Sequence, residues 1–229
     1  MTERLVQYRG ALTSAQVAAG INAARQNSIR LVQDAKVLAE LGRFPSALAL
    51  AILSIEESGK VAILREISYS TDEKALKGAW KHYRSHTSKN VLWTAPDLIR
   101  DGAREVSDFA PLFDRSSDHP LVLDQLKQIA LYTDCLGTGK WTIPVDVIDR
   151  DLTLSIVQVA KTLASEKETT VEEVELWIEV MGPVLRGPAP VPWIRKAFKR
   201  WYKEAARRGM IDPNNEIYRE FVHGKQHKE

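Results

Sequence analysis

The chain has 229 residues, the length of one ordinary domain or of one domain with an appendage. Lys and Arg number 32 against 30 Asp and Glu, with 44% apolar and 27% charged residues, a mix that excludes a disordered or fibrous chain. The single cysteine, Cys135, excludes an internal disulfide and a multi-cysteine metal cluster. With no long apolar run and no cationic-then-apolar leader, the expectation is a cytoplasmic protein that does not span a membrane.

Helical periodicity dominates from the N-terminal side onward. Val17, Ile21, Ala24, Ile29, Val32, Ala35 and Leu38 recur at helical spacing, predicting a first helix from an N-cap at Ser14 to a stop at Gly42. Pro45 opens a second helix running to about Ile67, and Thr71 caps a third over Asp72 to about Ser85. Residues 90–118 are punctuated by Pro96, Gly102 and Pro111 and read as short helices and loops. A fourth long helix begins around Pro120 and ends before Gly137-Thr138-Gly139, and Pro144 leads into a helix over about Asp149–Ser165. A shorter helix over Glu172–Val180, a Pro-rich link over residues 187–192 and a last helix over about Trp193–Arg208 complete the series. No strand alternation stands out, so the fold class is all-α, a helical bundle with an additional C-terminal helical segment. Charge is segregated along it: residues 186–229 carry a net +6 and the preceding residues −4, which suggests an anionic partner or a tail folded against an acidic body.

The second helix is apolar on all sides in its first half, marking it as central. Farther along, Ile52, Glu56, Gly59, Lys60 and Ile63 share one side, and the small residues around Ser58 and Gly59 would let a neighbouring backbone approach closely. Glu56 and Lys60 have the spacing of an ordinary i,i+4 surface pair, worth a few tenths of a kcal/mol, or else form a polar patch set into an apolar bundle. The third helix ends in Trp80-Lys81-His82-Tyr83-Arg84-Ser85-His86-Thr87-Ser88-Lys89. His82 and His86 would share a face, but Tyr83 stands where a zincin has Glu and no third ligand is evident, so no metal is expected. Cations interleaved with aromatics suit phosphate contacts and base stacking, with a histidine as general acid or base. The competing reading is a solvated basic helix end. Gly137-Thr138-Gly139-Lys140 is not a phosphate loop, because Trp141 follows in place of Ser or Thr and no strand precedes it. Cys135 reads as a small buried apolar residue. The last helix is amphipathic, with Ile194, Ala197, Phe198, Trp201 and Ala205 opposed to Arg195, Lys196, Lys199, Arg200 and Lys203. It would either dock on the body or bind a nucleic acid or membrane surface.

Three stretches resemble the abortive-infection V (AbiV) family of the HEPN superfamily of helical nucleases. They are Arg43–Lys60 closing in Glu56-Glu57-Ser58-Gly59-Lys60, His86-Thr87-Ser88-Lys89, and Leu126–Asp134 with Pro144 downstream. The resemblance implies an HEPN-like AbiV-type bundle over residues 1–166 and leaves 167–229 as a helical appendage with a basic amphipathic helix. It also implies a cytoplasmic homodimer with no cofactor, and an antiphage, abortive-infection toxin that shuts down translation by metal-independent RNA cleavage. The alternative is a non-catalytic helical dimer that binds RNA, ribosomes or a phage protein. The expected partners are tRNA, mRNA or rRNA, a second copy of the chain and a phage-encoded activator. HEPN nucleases use Arg-x(4–6)-His, whereas here Lys81-x4-His86 and Lys77-x4-His82 have that spacing with Lys in place of Arg, and Arg115 and Arg219 each lie too close to the next His. The expected catalytic set is His86 as acid/base with Glu56, Glu57 and Lys60. Lys81, His82, Arg84, Lys89 and Lys127 are expected on phosphate, with Tyr132 as a further member.

Overall fold

A computed structural model describes residues 6–114 and 116–213, so Arg115 and the charged residues of 214–229, Arg219 among them, lie outside it. Two long antiparallel neighbours organise the chain. Helix α1 (Ser14–Glu40) and helix α2 (Phe44–Tyr69) are each about 40 Å long at 1.5 Å per residue. The cap of α1 is Thr13 rather than Ser14. Its hydroxyl accepts from the Gln16 amide while the Gln16 side chain accepts from the Thr13 amide, a reciprocal pair that Ser14 is one residue too late to make. Gly42, at φ 71°, turns the chain into α2.

The two helices approach closely along a seam of small polar residues. Ser28 Oγ lies 3.0 Å from Ser54 Oγ and 2.7 Å from Ser58 Oγ, and Ser54 Oγ donates to the Ser28 carbonyl at 2.8 Å. Buried hydroxyls so paired carry no desolvation penalty left unmet. Helices α3 (Glu73–Arg84), α4 (His86–Lys89), α5 (Ala95–Arg100), a 3₁₀ segment (Val106–Phe113) and α6 (His119–Leu131) follow. The third helix does not run through to His86. Ser85 adopts an extended conformation and its hydroxyl caps α4 through the Ser88 amide, so His82 and His86 stand on separate helices.

Helix α6 stops at Leu131 rather than just before Gly137, and a two-stranded hairpin, β1 (Asp134–Leu136) and β2 (Lys140–Thr142), follows where no strand was expected. Gly137 and Gly139, at φ 57° and 85°, make its turn, and strands of three residues are too short to declare an alternation. Cys135 belongs to this hairpin and is exposed, contrary to the buried place expected for it. Helices α7 (Pro144–Val147), α8 (Arg150–Leu163), α9 (Val171–Val180), α10 (Gly182–Leu185) and α11 (Val191–Arg207) complete the all-α bundle.

Apolar burial is continuous around α2. Leu48, Ile52 and Ile55 pack with Val32, Leu123 and Ile156 at one end, and Ile63, Leu64 and Ile67 pack with Val17, Ile21, Trp80 and Val174 at the other. Helix α9 shares this second core and also a third, in which Leu176, Trp177 and Met181 pack with Ala197, Tyr202 and Ala205 of α11. The amphipathic last helix therefore docks its apolar face. Among the described residues, no helix is long and apolar enough to cross a membrane.

Candidate functional site

Glu56 is the centre. It lies midway along α2, is only 3% exposed, and receives three cationic or imidazole groups from two other helices. His86 Nδ1 is 2.7 Å and Lys89 Nζ 3.0 Å from Oε2, while Lys127 Nζ is 2.5 Å from Oε1. Lys127 also pairs with Asp124, one turn earlier on α6, at 2.8 Å. His86 and Lys89 bracket the single turn of α4, and Lys127 comes from α6, 71 residues along the chain from Glu56.

One glycine sets this convergence. A Cβ added to Gly59 would stand 1.9 Å from the Lys89 carbonyl oxygen and 2.8 Å from its carbon. The backbone of α4 therefore rests directly on the bare Cα of Gly59, one helical turn from Glu56, and both α4 side chains come within bonding reach of the carboxylate. The Glu-Glu-x-Gly-Lys and His-x-x-Lys elements are thus two halves of one contact.

The electrostatics follow from burial and count. Burial opposes ionisation of Glu56, but the bonds from Lys127, His86 and Lys89 outweigh it and hold the carboxyl below its ordinary range. Burial likewise opposes the Lys127 ammonium, and Asp124 and Glu56 overcome it, holding the amine above its ordinary value. Within the buried part of the cluster, the two carboxylates of Glu56 and Asp124 balance the two ammonium groups of Lys89 and Lys127. A carboxylate can only accept, so the proton of the His86–Glu56 bond resides on Nδ1. His86 is otherwise half-exposed and makes no bond through Nε2 among the described residues, which leaves that nitrogen to a substrate. Glu56, His86 and Asp124 also offer ligand atoms within 4.8 Å of one another, the spacing of a metal triad. The Lys127 ammonium bridges the two carboxylates and fills the place a cation would take.

The remaining sequence candidates are distributed elsewhere. Lys60 pairs with Glu57 at 2.6 Å and lies over the Tyr83 ring, rather than pairing with Glu56 as the i,i+4 spacing suggests. The pull of Lys89 and Lys127 on Glu56 explains the exchange. His82 pairs with Glu66 at 3.1 Å. Arg84 stacks on Trp80 and donates to the carbonyls of Tyr8 and Trp80, holding the segment before α1 against α3. Lys81 is exposed on the last turn of α3, and Tyr132 is exposed beyond the end of α6. Lys89 and Lys127, expected on phosphate, are buried on Glu56 in the single chain. Asp124 was not among the sequence candidates. Its only signal is the Asp-x-x-Lys spacing with Lys127, too common on helices to single out.

A protein-family model described as AbiV, of the HEPN group, matches residues 16–165, a span that contains Glu56, His86, Lys89, Asp124 and Lys127. No curated protein and no solved structure matches the chain.

Proposed function

The chain belongs to the AbiV family of HEPN proteins, and from that premise we propose that it is an abortive-infection ribonuclease whose reacting group is His86. The observation that carries the reading is the 2.7 Å bond from a half-exposed imidazole to a buried, ionised carboxylate. Glu56 fixes the orientation of the ring through Nδ1, and Nε2 is left open toward solvent. Lys89 and Lys127 keep Glu56 ionised, and so position His86 rather than touch substrate.

In the proposed reaction Nε2 takes the proton from a ribose 2′-hydroxyl as the 2′-oxygen attacks the adjacent phosphorus. The bond from phosphorus to the 5′-oxygen breaks, and that oxygen takes up a proton from water. The products are a 2′,3′-cyclic phosphate and a 5′-hydroxyl end. Because the buried cluster is charge-balanced, the cation for the developing phosphorane comes from outside it. Exposed Lys81 occupies the place of the family's arginine, and a second protomer would add its own Lys81 and His86. Dimer formation is supported by seven exposed large apolar residues between Leu131 and Val147, a segment that directly continues α6: Leu131, Tyr132, Leu136, Trp141, Ile143, Val145 and Val147. The neutrality of the cluster also favours a second reading, in which the Glu56 network only braces a non-catalytic RNA-binding bundle.

Incubating the purified protein with total RNA and tRNA, alone and with phage lysate, separates the two. The first reading expects cyclic-phosphate ends and cell toxicity that both disappear in His86→Ala. Cleavage and toxicity unchanged in His86→Ala would overturn it.

A further inference from the structure

Outside the region matched by the family model, α11 carries a second feature. At 100° per residue, Trp193, Lys196, Lys199, Arg200 and Lys203 fall within a stripe about 120° wide. Ala197, Tyr202 and Ala205, which dock the helix on α9, lie on the opposite side. The stripe therefore faces away from the protein, and its lysines are exposed.

The arginines of α11 and its C-cap, Arg208, are already committed. Arg195 is bonded to Glu105 and Ser107, Arg200 pairs with Glu179, and Arg207 and Arg208 pair with Glu204. Lys196, Lys199 and Lys203 have no carboxylate partner among the described residues. Three ammonium groups with no carboxylate partner among the described residues thus run along about 10 Å of helix axis, on a helix held by the Arg195–Glu105 tie to the 3₁₀ segment. Val191, Pro192, Arg195, Lys196 and Lys199 line an open hollow of about 430 Å³. Trp193 follows Pro192 directly and is 66% exposed, unusual for the largest apolar side chain.

We propose that this stripe is a docking face for single-stranded RNA, the lysines following the phosphates while a base enters the hollow or stacks on Trp193. A row of exposed cations complements the phosphates of a polyanion, and an exposed indole beside them suits a nucleobase. The inference rests on RNA being the substrate and assigns where, outside the His86 site, that substrate is held.

The test uses the full chain, a fluorescein-labelled 20-nucleotide oligouridylate, heparin, anionic lipid vesicles and the dinucleotide UpA. Replacing Lys196, Lys199 and Lys203 together by Ala is expected to weaken oligouridylate binding at least tenfold at 0.1 M salt. The slope of log affinity against log salt should fall by about 2, from roughly 0.7 per phosphate contact. Trp193→Ala should weaken oligouridylate about tenfold and leave heparin unchanged, because only RNA offers a base to stack. A control losing equal charge at Lys36, Lys74 and Lys161, all exposed, should bind as the unaltered protein does. Oligouridylate affinity within twofold of the unaltered protein in the triple variant overturns the proposal. So does an effect of the triple change on vesicles alone, which would make the stripe a membrane contact. UpA is too short to span both places, so its cleavage reports the His86 site by itself. If His86→Ala binds oligouridylate normally and UpA is never cut, the nuclease reading fails while the docking face stands.

Discussion

Substituting Gly59 by Ala tests the contact on which the site is built. The added methyl would lie 1.9 Å from the Lys89 carbonyl oxygen, whereas carbon and oxygen in contact sit at about 3.3 Å or more, so α4 must withdraw by about 1.4 Å. A withdrawal of that size stretches the 2.7 Å bond between His86 and Glu56 to at most about 4 Å, beyond hydrogen-bond reach. Overpacking costs about 1–3 kcal/mol, Ala in place of helical Gly returns about 1 kcal/mol, and loosening of the buried Lys89–Glu56 pair adds to the loss. The sharper readout is the ring itself. In the unaltered protein, nitrogen-15 spectra of His86 should show the proton on Nδ1. In Gly59→Ala the signal should revert to the mixture of an unconstrained imidazole, and RNA cleavage should fall about a hundredfold, as expected for misplacement by an ångström. Gly78 on α3 supplies the control. Nothing lies within 4 Å of its added Cβ, so Gly78→Ala should raise stability by about 0.5–1 kcal/mol without changing His86. An unchanged His86 spectrum and unchanged cleavage in Gly59→Ala would refute the reasoning.

Lys127→Met leaves Glu56 and Asp124 without their shared cation in a buried place and should cost about 3–5 kcal/mol in denaturant unfolding. A loss below 1 kcal/mol would mean the cluster is hydrated rather than closed. The pH dependence follows from the same groups. The Glu56 carboxyl is depressed in the folded state, so its contribution is complete above the ordinary value of 4.5 and is lost as pH falls through the lower folded value. Lys127 is raised, so its contribution is complete below 10.5 and is lost as pH climbs through the higher folded value. Melting temperature measured across both limbs should therefore fall at each end, and Glu56→Gln should flatten the acid limb. Asn22 accepts from the Thr169 amide at 2.8 Å and donates to the Thr169 carbonyl at 2.9 Å, tying the connector before α9 to α1. Asn22→Ala should speed amide hydrogen exchange across 165–185 and leave α2 and α6 unchanged.

Local chemistry made the framework legible. Apolar spacing every three or four residues predicts helices wherever it persists, and α1, α2, α8, α9 and α11 form within a few residues of the predicted limits. The hairpin escaped because three-residue strands carry no period, and the break at Ser85 escaped because a single extended residue leaves no mark in a pattern of charges and aromatics. The all-round apolar character of α2 placed it at the centre, and the small Gly59 announced a close neighbour.

What the chain could not declare by itself was which neighbour. Glu56 has a lysine four residues along its own helix, yet it bonds to groups 30 and 71 residues away, because burial makes a carboxylate take the cations that folding brings to it. Lys60 is left to Glu57 and Arg84 to the backbone of Tyr8 and Trp80, outcomes fixed by which helix faces meet. Spacing along a sequence lists the charges and their helical faces. Only the packing of α4 on Gly59 and of α6 on α2 decides which of them are taken out of water together, and so which can act on one another.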